Sequence, residues 1–331
     1  MTNETLALYA NYALYSAMAV FTIAMVAFAT DLAGSRPPAT ASAGSRQGEL
    51  VGSGGPLPGP SSPVPSWERA GADNGDQAAA PARRRVSAGI AMSLSWLGLL
   101  LLLLGDTLRG WSVHRAPLGN MFEFAAVGTT FVMAVFLGLS LRRDVRWLGL
   151  FVVGPVLLTL GLALTVFYTQ ASQLLPSLRN YWLLIHVTVA TLSVALFTIG
   201  FSVTILHLLK ARREASPPAR PGFMESLPSA AALDRTAYGL HVVAFPLWTF
   251  TLIAGAIWAE QAWGHYWNWD PKEVWTFVIW VVYAAYLHSR ATTGWSVRSA
   301  SYLALAGYGC ILVNYMVVNV YFVGQHSYSG M

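Results

Sequence analysis

Eight apolar segments of near-bilayer length recur along this chain. They cover residues 6–30, 86–105, 119–140, 147–168, 183–209, 238–258, 275–289 and 301–323. About 20 helical residues cross a bilayer, and a helix satisfies its own backbone polar groups where water is absent. Charged residues make up 11% of the chain, whereas soluble domains contain about 25%. The sequence therefore predicts an all-α polytopic membrane protein with about eight transmembrane helices.

The segment at 34–85 differs from the rest in composition, because it is rich in Gly, Ala, Ser and Pro. Such a composition cannot bury enough apolar surface to fold. We expect a disordered cytoplasmic linker there, with a first transmembrane helix at 1–33 and a seven-helix domain at 86–331. The first apolar run lacks the basic start of a signal peptide and is long enough to remain in the membrane.

The basic residues predict the orientation. If the N-terminus lies outside, 16 of the 20 Lys and Arg residues fall on inner segments. The outer segments then hold only Arg109, Arg115, Arg179 and Lys272. By the positive-inside rule, both termini belong on the non-cytoplasmic side of the cell membrane. The net charge of +5 reflects this topology, so we predict no nucleic-acid partner.

The segment WGHYWNWDPKE, at 263–273, follows the sixth apolar span and by this topology faces outward. It contains Trp263, Trp267 and Trp269. Tryptophan is common at membrane interfaces, so an ordinary aromatic belt is one interpretation. The other is a shelf of rings for a large, flat, apolar ligand with charged edges, a description that haem fits.

Within this segment, Asp270 to Glu273 has the pattern of a helix start. Asp270 suits the N-cap, Pro271 the first helical position, and Glu273 completes a capping box. The positive end of that helix, together with Lys272, can attract haem propionates, although Lys272 can equally be a solvated interface residue. We therefore predict Asp270 as a cap and as part of a cofactor site.

Two histidines fall near the outer ends of predicted spans, on the side of the tryptophan segment. His186 lies in YWLLIHVT and His326 in GQHSYSG. Paired imidazoles are stable axial ligands for haem iron, but a membrane histidine can also be a polar group satisfied between helices. His288 lies near an inner end, where it can bind a second haem. For His207 and His241 we favour interfacial positions.

These motifs resemble a known family. WGHYWNWDPKE is similar to the tryptophan-rich WWD signature of haem-handling proteins in cytochrome c maturation. With YWLLIHV, FPLWTFTLIAGAIWAEQ, YLHSR and GQHSY, the chain resembles the CcsA/ResC component of the System II cytochrome c synthase. The resemblance covers about 86–331 and is most specific from 181 onward.

The resemblance implies site residues and partners. It implies that His186 and His326 ligate haem b on the outer side, and that His288 ligates a haem within the membrane. The other ligand of that inner haem would come from a ResB-type membrane subunit. The chain would move haem outward and present it for thioether attachment to the CxxCH cysteines of apocytochrome c. Thioredoxin-like proteins that reduce thiols would act nearby.

Several alternatives stay open. The chain can be a System I-type haem-handling protein or a haem exporter without lyase activity, or a structural subunit anchored to lipid by its tryptophans. We expect a holocytochrome c synthase subunit, but assign no catalytic acid or base. The single cysteine, Cys310, excludes an internal dithiol exchange.

Overall fold

The computed structural model describes residues 3–34, 86–174, 179–216 and 223–326. Within these ranges the chain is helical, without strands. Its long helices are α1 (Glu4–Gly34), α2 (Val86–Val113), α3 (Met121–Ser140), α4 (Gly149–Thr165), α5 (Tyr181–Glu214), α6 (Ala230–Trp263), α7 (Pro271–Ala291) and α8 (Val297–Leu312). After α8, the helix continues through a π-helical segment, Val313–Val318, to Asn319–Tyr321. Two short 3-10 turns occupy Arg146–Leu148 and Phe223–Ser226.

Seven helical segments of the described ranges are long and apolar enough to cross a membrane. They correspond to α1 to α6 and to residues 297–321. The helix α7 has 21 residues but not the apolar composition, and it corresponds to the short seventh span predicted from the sequence. The prediction of an all-α polytopic membrane protein is confirmed.

The first helix packs against the rest through small residues. Phe21 of α1 is fully buried against Gly98 of α2, and Phe28 is buried against Gly149 of α4. A Cβ atom at either glycine would overlap the facing ring, so glycine permits the close approach of these helices. The predicted linker at 34–85 lies, from residue 35 onward, outside the described residues.

Three segments that form the candidate site lie at one end of the helix bundle. We call it the aromatic end and define it by residues 264–270 and 322–326. The backbone N–H of Gln325 donates to Asp270 Oδ1 over 2.7 Å, which joins these two segments. The loop between α4 and α5 lies at the same end, because Asn180 hydrogen-bonds to Gln261 near the end of α6. That this end faces outward remains a prediction.

The helix α7 begins as the sequence predicts. The Asp270 side chain accepts from the backbone of the first turn, and the Glu273 side chain accepts from the backbone N–H of Asp270, with Pro271 at the start. The capping box is therefore confirmed. It satisfies N–H groups that would otherwise lack partners at the helix end.

Buried charges tie α2 to α3. Asn120 caps α3, and the fully buried Glu123 carboxylate in its first turn accepts from Arg109 over 3.1 Å and from Arg115 over 2.7 Å. Arg109 also donates to the Thr169 carbonyl, beyond the end of α4. Pairing offsets the cost of burying these charges, so the cluster holds the start of α3 in place.

Candidate functional site

A cavity of about 750 Å³ lies between α3, α4, α5, α6 and α8 and reaches the aromatic end. Most of its wall is apolar, as in sites for small molecules and cofactors. Its volume is within the usual range of about 300–1,000 Å³ for such sites. At the aromatic end, the polar side chains in the wall include His186, Lys272, Glu273, Asn319 and His326.

His186 lies in the second turn of α5, which Asn180 caps. Its Nδ1 is 2.9 Å from the carbonyl oxygen of Thr251 on α6, so Nδ1 carries the proton and donates. This tautomer leaves the lone pair on Nε2, which is the arrangement of a histidine that binds metal through Nε2. A Cβ atom at Gly255 would lie 2.7 Å from the imidazole, so the close approach of α6 depends on that glycine.

His326 is held by a carboxylate. Its Nδ1 lies 3.0 Å from Asp270 Oδ2. A carboxylate bonded to one imidazole nitrogen orients the ring and assigns metal binding to the other nitrogen. Asp270 therefore has two roles, because the residue that caps α7 also positions His326.

Asp270 is an ionised carboxylate in this setting. Burial raises its pKa, but the hydrogen bonds from His326 and from the backbone N–H groups of Gln325 and Lys272 together hold the pKa below its ordinary value. The C-terminal segment approaches so closely that a Cβ atom at Gly324 would overlap the carboxylate. A charged acceptor thus fastens residues 324–326 to the start of α7.

A tryptophan to which the sequence analysis assigned no role contacts both histidines. Trp258 of α6 is 1% exposed. Its ring stacks on His186 with 5.9 Å between centroids and an interplanar angle of 12°, and lies 5.6 Å from His326. Trp263 lies 4.7 Å from Trp258 and 4.8 Å from His326. The only sequence signal for Trp258 was its place in the motif that leads into the tryptophan segment.

The three predicted tryptophans do not share one surface. Trp263 packs against His326, and Trp267 lies in the cavity wall. Trp269 is 74% exposed, lies outside that wall, and meets Trp267 edge-on at 5.8 Å. Its φ is +56°, and Glu273 Oε2 accepts from the backbone N–H groups of the residues on either side, Asn268 and Asp270.

Comparison with known proteins shows the family of this chain. The model of the family described as Cytochrome C assembly protein matches residues 99–326. The chain belongs to this family. It is 34% identical over 269 residues to the cytochrome c biogenesis protein CcsA of Synechococcus sp. (strain JA-3-3Ab), covering 64% of this chain and 77% of that protein. The resemblance to CcsA/ResC is therefore confirmed.

A second relative and a solved structure extend the comparison. The cytochrome c biogenesis protein CcsA of Chlamydomonas reinhardtii is 35% identical over 246 residues, covering 72% of this chain and 67% of its own. The structure of the cytochrome c heme lyase CcmF shares the fold, with a TM-score of 0.59 at 14% identity. The alignment covers 96% of this chain, which spans about half (47%) of that protein's length.

Three other histidines of this cytochrome c assembly protein, His207, His241 and His288, lie outside the cavity wall. His288 is exposed on α7, about 27 Å along the helix from Asp270, and is not in the cavity wall. The interfacial positions predicted for His207 and His241 are wrong, since both are buried. His207 Nδ1 donates to the Ala230 carbonyl over 2.9 Å, and His241 packs among aromatic rings. Burial between helices keeps both side chains from water, with His207 hydrogen-bonded and His241 enclosed by rings.

Proposed function

We propose that this chain is the membrane haem-handling subunit of a cytochrome c synthase. It holds haem b at the aromatic end and presents it for attachment to the CxxCH cysteines of apocytochrome c. The observation that carries this proposal is that His186 and His326 both contact Trp258 and both line the same apolar cavity. Membership of the cytochrome c assembly family supports it.

The residues present fit haem as the substrate. Imidazoles are common axial ligands of haem iron, and both histidines have Nδ1 engaged by an oxygen of the protein, which assigns Nε2 to the iron. The faces of a porphyrin are apolar, and so is most of the cavity wall. Trp258 Nε1 is buried with no hydrogen-bond partner among the described residues, so the wall also retains a donor for a polar ligand group.

The chain promotes the reaction by positioning haem and not by acid–base chemistry. Bound haem supplies two vinyl groups, and each thiol of the substrate adds its sulfur and hydrogen across one of them. The histidines hold the iron, the aromatic rings orient the porphyrin, and the fixed geometry replaces a bimolecular encounter with a contact. The single cysteine, Cys310 in α8, is no thiol pair, so we propose that thioredoxin-like proteins keep the substrate reduced.

His288 extends the proposal to a second haem and to a partner. The position is exposed and distant from the cavity, so a haem there would lie against the outer surface of α7. As the family resemblance implies, the other axial ligand would come from a ResB-type membrane subunit. We propose that haem moves from His288 to the aromatic end, and that this end and both termini lie outside the cell membrane.

The chain is expected to mature cytochromes efficiently only with the ResB-type subunit. The test expresses the chain alone, the partner alone and both together in a host without maturation genes of its own. Covalent haem in a coexpressed CxxCH substrate and the absorption spectrum of the purified protein are measured. Robust holocytochrome from the chain alone would contradict the requirement. Bound haem without thioether formation would favour an exporter, and no haem at all a structural subunit.

The tryptophans of the loop are expected to hold haem by their ring faces. Stacking on a planar ring is worth about 1–3 kcal/mol, so Trp263→Ala or Trp267→Ala is expected to weaken haem binding roughly ten- to a hundred-fold. Trp269, which is exposed, is expected to show the smallest loss. The measurement is haem per folded protein for the Ala, Phe and Leu variants at each position.

A matched control is Trp111→Ala, since Trp111 is 64% exposed near the end of α2, a helix that contributes no residue to the cavity wall. We expect this variant to bind haem normally. If the Trp263 and Trp267 variants also bind haem normally once folded, and only insert poorly, the aromatic-belt interpretation is correct.

A further inference from the structure

Lys272 lines the cavity, and so do both residues that accept hydrogen bonds from its ammonium group, Asn314 and Asn319. It lies in the first turn of α7, and of the described residues in the cavity wall it is the only Lys or Arg. Its Nζ donates to the carbonyl oxygen of Asn314 over 3.0 Å and to Asn319 Oδ1 over 2.7 Å. Both acceptors are neutral. An ammonium has three N–H donors, so the two bonds leave one donor for a ligand.

The nearby carboxylates bind other groups than Lys272 Nζ. Asp270 accepts from His326 and Gln325, and Glu273 Oε2 accepts from two backbone N–H groups of the loop, while Glu273 Oε1 has no hydrogen-bond partner among the described residues. Among the described residues, no carboxylate lies within 4.0 Å of Lys272 Nζ. A positive charge at an apolar wall is costly unless an anion accompanies it. The cavity is therefore suited to an anionic ligand group at this position.

A backbone irregularity supports the lysine. Asn314 lies in the π-helical segment Val313–Val318, and Asn319 directly follows it. Such π-helical turns depart from α-helical hydrogen bonding and occur often at functional sites. Here the segment directs the carbonyl of one residue and the side chain of the other toward the same ammonium group. The π-helical segment and the residue that follows it thus fix the position of the cation.

We infer that Lys272 binds a propionate of haem and sets the orientation of the porphyrin at the His186–His326 site. The inference rests on the proposed function. The propionates and the vinyl groups lie on opposite edges of haem b, so a propionate held at Lys272 directs the vinyl edge away from the start of α7. Lys272 acts as a positioning residue that fixes which edge of the porphyrin faces the thiols of the substrate.

The test compares haem with haem dimethyl ester, which has the same porphyrin and iron but no carboxylates. Both are titrated into the full chain, purified with its partner and freed of haem, for wild type, Lys272→Met and Lys272→Arg. Wild type is expected to prefer haem. Lys272→Met is expected to weaken haem binding about ten- to a hundred-fold without changing ester binding, and Lys272→Arg to retain most of the preference.

The chain contains one other lysine, which provides a matched control. Lys210 Nζ also donates to a backbone carbonyl, that of Met224, but it lies outside the cavity wall. Lys210→Met is expected to leave both affinities unchanged. Equal losses of haem and ester in Lys272→Met would overturn the inference and indicate a packing role. Equal affinities in wild type would overturn it without any variant, and a wild type that binds neither ligand would overturn the proposed function itself.

Discussion

Alanine at His186 or at His326 is expected to remove most of the haem bound at the aromatic end and to abolish cytochrome c maturation. Each substitution would delete one of the two proposed axial ligands while leaving the rest of the cavity wall in place. Both imidazoles are oriented by oxygen acceptors, Thr251 for His186 and Asp270 for His326, so loss of either ring removes a positioned ligand and not a mobile one. Haem content, the absorption spectrum and covalent haem in a CxxCH substrate are the measurements.

Added imidazole is expected to restore part of the haem content and part of the maturation, because it can fill the vacated axial position. His265→Ala is the matched control. His265 lies in the same loop, stacks on Trp263 at 6.4 Å and lies 3.2 Å from the side-chain nitrogen of Gln325, but we assign it no iron. If both His186→Ala and His326→Ala retain wild-type haem and activity, the assignment is wrong.

Asp270→Ala is expected to have the next largest effect, because one carboxylate serves two structures. It holds His326 by its side chain, and it caps α7. Loss of an outer-shell partner of a metal ligand typically costs about 10- to 100-fold in affinity or activity. Loss of an N-cap typically costs about 1 kcal/mol of stability. We therefore expect weaker haem binding together with a lower melting temperature.

Asp270→Ser separates the two roles. Serine is a good N-cap, but its shorter side chain does not reach the imidazole, so stability is expected to recover while haem affinity stays low. Ser296→Ala is the control for capping alone, since Ser296 caps α8 and accepts from Ser299. It is expected to lower the melting temperature without affecting haem. Full haem affinity in Asp270→Ala would refute the positioning role.

Local sequence patterns predicted most of the helices. A long apolar segment predicts a membrane-spanning helix, because a helix pairs the backbone N–H and C=O groups that would be costly to leave unpaired in lipid. Seven such segments are present in the described ranges. The capping box of α7 depends on four adjacent residues, so it was predictable from the sequence alone. The bounds of α6, Ala230–Trp263, exceed the predicted span at 238–258, since polar helix ends continue beyond the hydrocarbon core.

The candidate site required more than local pattern. The sequence predicted that His186 and His326 lie at the same end of the helix bundle. The order of the spans and the distribution of Lys and Arg decide which helix ends share a side of the membrane. It did not predict that Trp258 contacts both of them, because a tryptophan inside an apolar helix has no local signal for the direction of its ring. Nor did it show that Trp269 is exposed, which depends on a positive φ held by Glu273.

The sequence by itself determined the helical membrane fold, the start of α7 and the resemblance to the cytochrome c assembly family, because these depend on composition and on neighbouring residues. The tertiary structure alone decided the contacts between residues far apart in the chain. Asp270 meets His326 across 56 residues, and Lys272 meets Asn314 across 42. Such pairs form only when the start of α7 packs beside the residues that follow α8. The hydropathy of the sequence does not predict which polar groups this packing brings into contact.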